Sequence, residues 1–584
     1  MRAALTRTSL TRAPLARVSL IRRLFAALVA LTLVASGVSA AAAQAVDSRI
    51  RLDTVGYPPA RPKRASVAAR FDEFRVRRGP DGAVVFAGRA SAPVRNEDTG
   101  EDIRVADFSA LKEPGAYFLE IPGVGRSPAF RVARDVYVGP FRAAFEAMYL
   151  WRCGSSVSLA RGGTTYRHDA CHLGDARLDF VGRPGERKDA TGGWHDAGDY
   201  NKYVVNAGVT VGVLLRAWEE FGPRIAGVAL DPPNAHARLP DFLGEIKWET
   251  DWLLKMQAAD GSVYHKVSTK DFGPAVMPED EQTERYFAPW SSAATADFAA
   301  MLASAARAFR PYDDAYSRRL LAASRRAYDF LRAHPESRRA DLAGFTTGAY
   351  QTDDADDRLW AAAELWETTG ERAYLADFER RARAFGVKFD EDWGWSNVKN
   401  LGMVTYLASR RGGRDRALVR ELRAALVSTA DRVVATSRAH GHARTLGTKY
   451  YWGANGGVVN TVVVLQAARR VSPKAAYDEA SLDAIHNLFG RNPYGRSFVT
   501  GLGHDPPRRP HDRRWLGRPH LRAWPGYLVG GGWPKATDWA DDEENYRVNE
   551  IAINWNAPLV YALAAFLEET PPAERRRANR RAPR

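Results

Sequence analysis

Gly192-Gly193-Trp194-His195-Asp196-Ala197-Gly198-Asp199-Tyr200-Asn201-Lys202-Tyr203-Val204-Val205-Asn206 reads as a turn that runs into a helix. Its first half is rich in Gly and holds two carboxylates three residues apart. Its second half opens an apolar, helix-forming run. Outward from this stretch the same alternation of loop and helix recurs. About twelve segments carry helical periodicity, beginning near Gly139, Asn201, Pro240, Ser291, Ala315, Ala355, Arg372, Ser396, Arg416, Asn455, Lys474 and Asn549. Ser291 and Ser396 stand as helix caps, and Asp241 and Asp356 fall in first turns, where acids favour the helix. The C-terminal three quarters of the chain is therefore expected to be all-α.

Upstream the period changes to two. Ala65–Ala69, Phe74–Arg77, Ala83–Phe86, Ile103–Val105, Tyr117–Ile121 and Ala129–Val132 alternate or run apolar, and Gly79-Pro80-Asp81-Gly82 is a turn between two of them. Such spacing predicts a β-sandwich. The expected organisation is residues 1–45 a secretory signal, 46–137 the sandwich, 138–572 the helical domain and 573–584 a disordered basic tail.

The ends also explain the charge. Of a net +15, six units lie in residues 1–45 and five in the tail from Ala573, leaving +4 for the body. Nucleic acid is thus not an expected partner. Residues 1–45 pass from a basic stretch to an apolar run, Leu24–Val38, and then to small residues around Ala43-Gln44-Ala45. That run is shorter than the ~20 residues of a spanning helix, and no later segment is long enough. The mature chain is read as secreted or periplasmic, monomeric and without a membrane span.

Asp196 and Asp199 have a distant counterpart in Glu550, within Tyr546-Arg547-Val548-Asn549-Glu550-Ile551-Ala552-Ile553-Asn554-Trp555-Asn556. A carboxylate pair plus a separate carboxyl, in a chain with 16 Trp and 22 Tyr whose faces can stack on sugar rings, suits acid–base cleavage of a sugar polymer. Both segments resemble the active-site motifs of glycoside hydrolase family 9, mostly cellulases. Val55-Gly56-Tyr57-Pro58 and Pro62-Lys63-Arg64-Ala65 resemble the start of the immunoglobulin-like module that precedes some of its catalytic domains. The resemblance implies an immunoglobulin-like β-sandwich followed by an (α/α)6 barrel. It implies an inverting endo-β-1,4-glucanase in which Asp199 is the base, Asp196 helps hold the water and Glu550 is the proton donor.

Two further clusters could hold metals. Cys153, Cys171, His172 and His195 could close a tetrahedral zinc site, although a Cys153–Cys171 disulfide is equally readable from the residues alone. The family resemblance implies a structural zinc. Asp353, Asp354, Asp356 and Asp357 offer the oxygen ligands calcium prefers, or the acidic first turn of a solvated helix. Gly490–Gly501 leading into Pro506–Arg513 resembles the family's histidine signature. It places His511 and Arg513 beside the sugar, with Asp512 where a second His is frequent. Within Tyr450–Gly456, Trp452 is the expected stacking platform, and Tyr546 is a second. Exo-acting β-glucosidases or glucosaminidases of the same fold, and a carbohydrate-binding protein without turnover, are the alternatives.

Overall fold

In the computed structural model, which describes residues 45–232 and 238–568, ten strands precede Ala133 and helices dominate from Val138. One sheet has the order β1 (Ile50–Arg51), β3 (Arg64–Val67), β7 (Glu101–Asp107), β6 (Val94–Asn96). The other runs β2 (Gly56–Tyr57), β10 (Phe130–Val132), β8 (Gly115–Ile121), β4 (Glu73–Arg78), β5 (Val84–Arg89), with β9 (Gly125–Arg126) on β8. In β8 the alternate residues Tyr117, Leu119 and Ile121 turn inward, as a half-buried strand requires. They meet Tyr57, Phe74, Phe108 and Phe130 in the sandwich core. All six strands expected from the period of two are present. The additional ones are two or three residues long, too short to show alternation.

Twelve helices of ten or more residues follow among the described residues. They are α1 (Val138–Leu150), α2 (Val204–Ile225), α3 (Asp241–Met256), α4 (Ser292–Phe309), α5 (Asp314–Ala333), α6 (Ala355–Thr369), α7 (Arg372–Ala384), α8 (Lys399–Ala408), α9 (Arg416–Ala439), α10 (Ala454–Val471), α11 (Ala475–Leu488) and, after a four-residue turn α12 (Tyr546–Asn549), α13 (Ile553–Ala564). The even-numbered helices α2 to α10 and then α13 pack in a ring, each on the next, and α13 returns to α2. The odd-numbered helices α1 to α11 pack outside them. Burial follows position. Ring helix α4 buries 17 of its 18 residues, many of them Ala, so neighbours approach from every side. Outer helix α5 buries Tyr316, Leu320, Ala323, Ala327 and Leu331, the 3–4 spacing of a one-sided helix. This is the expected (α/α)6 barrel. The chain enters every ring helix from the same end, so six helix N-termini and their preceding loops gather there.

Three helix starts differ from expectation for local reasons. The helix expected near Asn549 begins at Ile553, because Glu550 and Ile551 are extended and bridge to His511 and Val529. α2 begins at Val204, not Asn201, because Lys202–Tyr203 pairs as β13 with β14 (Lys266–Ser268). α8 begins at Lys399, and Ser396 does not cap it; the Val398 N–H donates instead to the Asp356 carboxylate at 2.6 Å. Ser291 does cap α4, accepting from the Ala294 N–H at 3.1 Å.

The sandwich is locked to the barrel. Ser66 donates to the Gly441 carbonyl at 2.8 Å and accepts from Arg491 at 3.0 Å. The buried Arg51 guanidinium pairs with Glu101 at 2.6 Å and lies 3.1 Å from His442. No helix among the described residues is long and apolar enough to cross a membrane. The expected signal and basic tail lie outside the described residues.

Candidate active site and metal centre

The loops at the ring's N-terminal end enclose a cleft of about 810 Å³. All seven residues singled out for catalysis and substrate contact line it: Asp196, Asp199, Glu550, His511, Arg513, Trp452 and Tyr546. The Asp196–Asp199 loop is fixed by close backbone approach. A Cβ at Gly198 would lie 2.5 Å from the His511 carbonyl oxygen, so only glycine fits. The Gly198 carbonyl accepts from the Arg513 N–H at 3.0 Å. The Asp196 carbonyl accepts from the Ile553 N–H at 2.9 Å, joining the loop before α2 to the start of α13.

The two aspartates are held differently. Both Asp196 oxygens are engaged, Oδ1 by Asn206 at 2.6 Å and Oδ2 by the Tyr350 hydroxyl at 2.8 Å. Asp199 is held through one oxygen. Oδ2 accepts from Asn201 at 2.7 Å and Tyr203 at 3.1 Å, and Oδ1 takes no hydrogen bond from a described residue. Burial pushes the Asp199 carboxyl up, with the Arg513 cation and the two donors opposing it. Burial and the Asp199 charge push Asp196 to about 8. Glu550 sits where α12 ends and α13 has not begun. Burial first, then the charges of Asp199 and Asp196, hold it well above the usual carboxyl range. The group with the cation and the free oxygen is thus the one best able to keep a negative charge, and Glu550 is best able to keep a proton.

The walls are aromatic. Trp452 and Tyr546, 45% and 39% exposed, are paired at 5.2 Å between ring centroids. His511 lies 5.9 Å from Tyr546. Its Nδ1 lies 2.6 Å from the Glu543 carbonyl and so carries the proton, leaving Nε2 as the acceptor. Tyr450 and Tyr451, beside Trp452, serve structure: they donate to Asp98 and Asp392. Asp512 is buried in a bidentate pair with Arg514 beneath Trp515 and Trp524, so it faces the core and not the cleft. Tyr203, Phe272, Tyr350, Trp395 and Trp555 also line the cleft and were not among the sequence candidates. Of these, Tyr203 and Trp555 carried a signal, as parts of the motifs around Asp199 and Glu550.

Cys153, Cys171, His172 and His195 converge as expected. One donor atom from each lies within 4.8 Å of all the others. Cys153 Sγ is 3.7 Å from His172 Nδ1, and Cys171 Sγ is 3.6 Å from His195 Nε2. Tetrahedral zinc with ordinary Zn–S and Zn–N bonds needs S···N separations of about 3.6 Å. The cysteines are not bonded to one another. His172 Nε2 meets Glu281 at 2.9 Å, the outer carboxylate that commonly orients a metal-binding imidazole. The donor set fits zinc.

Asp353, Asp354, Asp356 and Asp357 do not converge, which corrects the expected calcium cluster. Asp353 faces Arg339 at 3.4 Å, Asp354 grips Arg358 at 2.7 Å and Asp356 accepts from Val398. Asp357 turns into the barrel against Asp297 of α4. Asp353 and Asp354 precede the helix, and Asp356 and Asp357 leave it about 100° apart, so a cluster in sequence disperses in space. The Asp297–Asp357 pair has a measurable consequence. Burial raises both carboxyls well above the ordinary value, joined for Asp357 by the charge of Asp297 and for Asp297 by that of Asp356, so the folded state holds more protons than the unfolded chain. Their contribution is complete below the ordinary carboxyl pKa and declines as pH rises towards the folded values. Asp357→Asn should therefore raise Tm by roughly 2 °C at pH 8 and by less at pH 5. A calorimetric scan at both pH values that shows equal shifts would refute this.

Comparison with known proteins agrees with this geometry. Residues 137–563 match glycosyl hydrolase family 9, and residues 45–126 match the cellulase N-terminal ig-like domain. Endoglucanase D of Acetivibrio thermocellus is 53% identical over 529 residues, covering 90% of this chain and 84% of that protein. The crystal structure of the family 9 endoglucanase J30 superposes with a TM-score of 0.83 at 35% identity, covering 88% of this chain and all of that one. A zinc-binding triple mutant of J30 gives 0.82 at 35%, with the same coverage. With the barrel, the ig-like sandwich and the carboxyl-lined cleft already in place, these matches make the chain a member of glycosyl hydrolase family 9.

Proposed function

We propose that this family 9 glycoside hydrolase cleaves internal β-1,4-glucosidic bonds of a glucan with inversion. The observation that carries the assignment of roles is the asymmetry of the two aspartates. Asp199 keeps one oxygen free and has Arg513 to hold its charge. It is the base that removes a proton from a water in the cleft. Asp196, tied at both oxygens, helps hold that water. Glu550, kept protonated by its surroundings, gives its proton to the leaving oxygen. Inversion needs this water between base and sugar, attacking the face opposite the leaving group. His511, Arg513, Trp452 and Tyr546 hold the sugars. The open cleft with exposed aromatic walls supports attack within a chain. Cys153, Cys171, His172 and His195 would hold a structural zinc; four protein ligands leave no position for substrate, so its role is to fix the loop that carries Asp196. The signal-like residues 1–45 support export.

Two readings of one digest test the proposal. Carboxymethyl cellulose should lose viscosity rapidly, and the first product seen by NMR should be the α-anomer. Release of single sugars without viscosity loss would replace endo by exo action. A β-anomeric first product would overturn inversion.

A further inference from the structure

The ring helices end at the pole of the barrel opposite the cleft. There the last turns of α2, α4, α6, α8 and α10 surround a second cavity, of about 700 Å³. The carbonyl ends of helices favour cations, and Arg216, Arg307 and Arg470 stand among them. Each is matched by an acid. Arg216 pairs with Glu219 at 2.9 Å, Arg307 with Glu219 at 2.5 Å and with Glu364 at 2.6 Å, and Arg470 with Glu220 at 2.6 Å. This inner network is balanced and closes the barrel.

The rim is not balanced. Arg410 and Arg423 line the same cavity and are exposed, and neither side chain forms an ion pair or hydrogen bond with a described residue. Their placement is nevertheless fixed. Arg410 lies between the end of α8 and two anchored arginines: Arg411 donates to the Glu367 carbonyl at 2.8 Å and Arg414 to the Tyr406 carbonyl at 2.8 Å. Arg423 projects from α9, whose other face buries Leu418, Leu422 and Leu426. Arg416 and Arg420 share the face of Arg423 at 3–4 spacing, are also exposed and are also unpaired, so the field at this rim is positive.

Between the rim and the network, the Glu219 and Glu367 carboxylates and the apolar side chains of Val404 and Val471 complete the wall. An inorganic anion would engage the rim and leave most of this space unfilled. A neutral sugar would leave both arginines without a partner. A sugar acid uses all of it: its carboxylate suits the planar guanidinium groups, its hydroxyls can donate to the glutamates, and its C–H face suits the apolar wall. We infer that this cavity binds a uronic acid unit of an acidic saccharide. The site is separate from the hydrolytic cleft and does not depend on which glucan is cleaved there.

The test is calorimetry on the full chain with digalacturonate as the probe. The wild type should bind it, and Arg410→Ala with Arg423→Ala should weaken Kd at least about tenfold. Arg416→Ala with Arg420→Ala, outside the cavity, should weaken it by no more than about twofold. Hydrolysis of a neutral β-glucan should be unchanged in both double variants, which also reports that they are folded. No binding by the wild type would overturn the site, as would full binding by the Arg410 and Arg423 double variant. Equal weakening by the two pairs would replace the cavity with a diffuse basic face. Inorganic phosphate bound as tightly as digalacturonate, with the same dependence on Arg410 and Arg423, would overturn the saccharide and leave a simple anion site.

Discussion

Replacing Glu550 with Gln lowers kcat on a soluble β-glucan by about 10³–10⁴-fold and changes KM little. The amide keeps the shape and the neutral state of the protonated acid, so substrate still fits; what is lost is the proton for the leaving oxygen. Asp199→Asn should be as damaging for a different reason, since the water then has no base. An aryl cellobioside whose leaving group needs no proton separates the two. It should be cleaved well by Glu550→Gln and poorly by Asp199→Asn. If both variants fail on it, the assignment of roles is wrong. The pH profile follows from the same two groups. Activity rises as Asp199 loses its proton and falls as Glu550 loses its own. Because burial and neighbouring carboxylates hold Glu550 well above the ordinary carboxyl pKa, the alkaline fall should lie far above pH 4.5. That limb should be missing from the residual activity of Glu550→Gln.

Cys171→Ala should lower Tm by roughly 10 °C or prevent folding, since a structural zinc contributes directly to the stability of the fold it closes. The purified wild type should contain one zinc per chain by elemental analysis, and a chelator should reproduce the loss of stability. Absence of zinc, together with a mass short of two hydrogens, would mean that Cys153 and Cys171 are joined as a disulfide. Glu281→Gln tests the outer contact to His172 at 2.9 Å. It should weaken zinc retention by about tenfold without removing a ligand.

Most of the fold was legible because its helices are amphipathic or apolar enough to show their period, and because Gly and Pro mark the loops. Two-residue strands show no period, and the hairpin β11 (Val157–Arg161) to β12 (Thr164–His168) escaped notice despite its Gly162-Gly163 turn, both of them at positive φ. At the site, Asp196, Asp199 and Glu550 stood in long distinctive motifs. Of the metal ligands only His195 did; Cys153, Cys171 and His172 allowed a disulfide as readily, and the family resemblance supplied the zinc. Tyr350 did not. It donates to Asp196 from a loop far along the chain, at φ 43°, and nothing in its neighbours distinguishes it from a core tyrosine. The acidic run from Asp353 to Asp357 misled for a related reason. Nearness in sequence indicated a shared site, but the helix beginning at Ala355 sends its carboxylates to separate partners.

Asp199 and Glu550 stand about 350 residues apart and meet where the last ring helix returns to the first. The Ile553 N–H bond to the Asp196 carbonyl crosses that seam. Every helix between them must be made and placed before the acid can face the base. A chain still emerging from the ribosome, or one cut short before α13, can build most of its core and still have no catalytic pair. Contacts this distant in sequence form late and at a high cost in chain entropy. Hydrolysis therefore reports the final closure of the fold, and recovery of activity during refolding should lag behind recovery of helical signal.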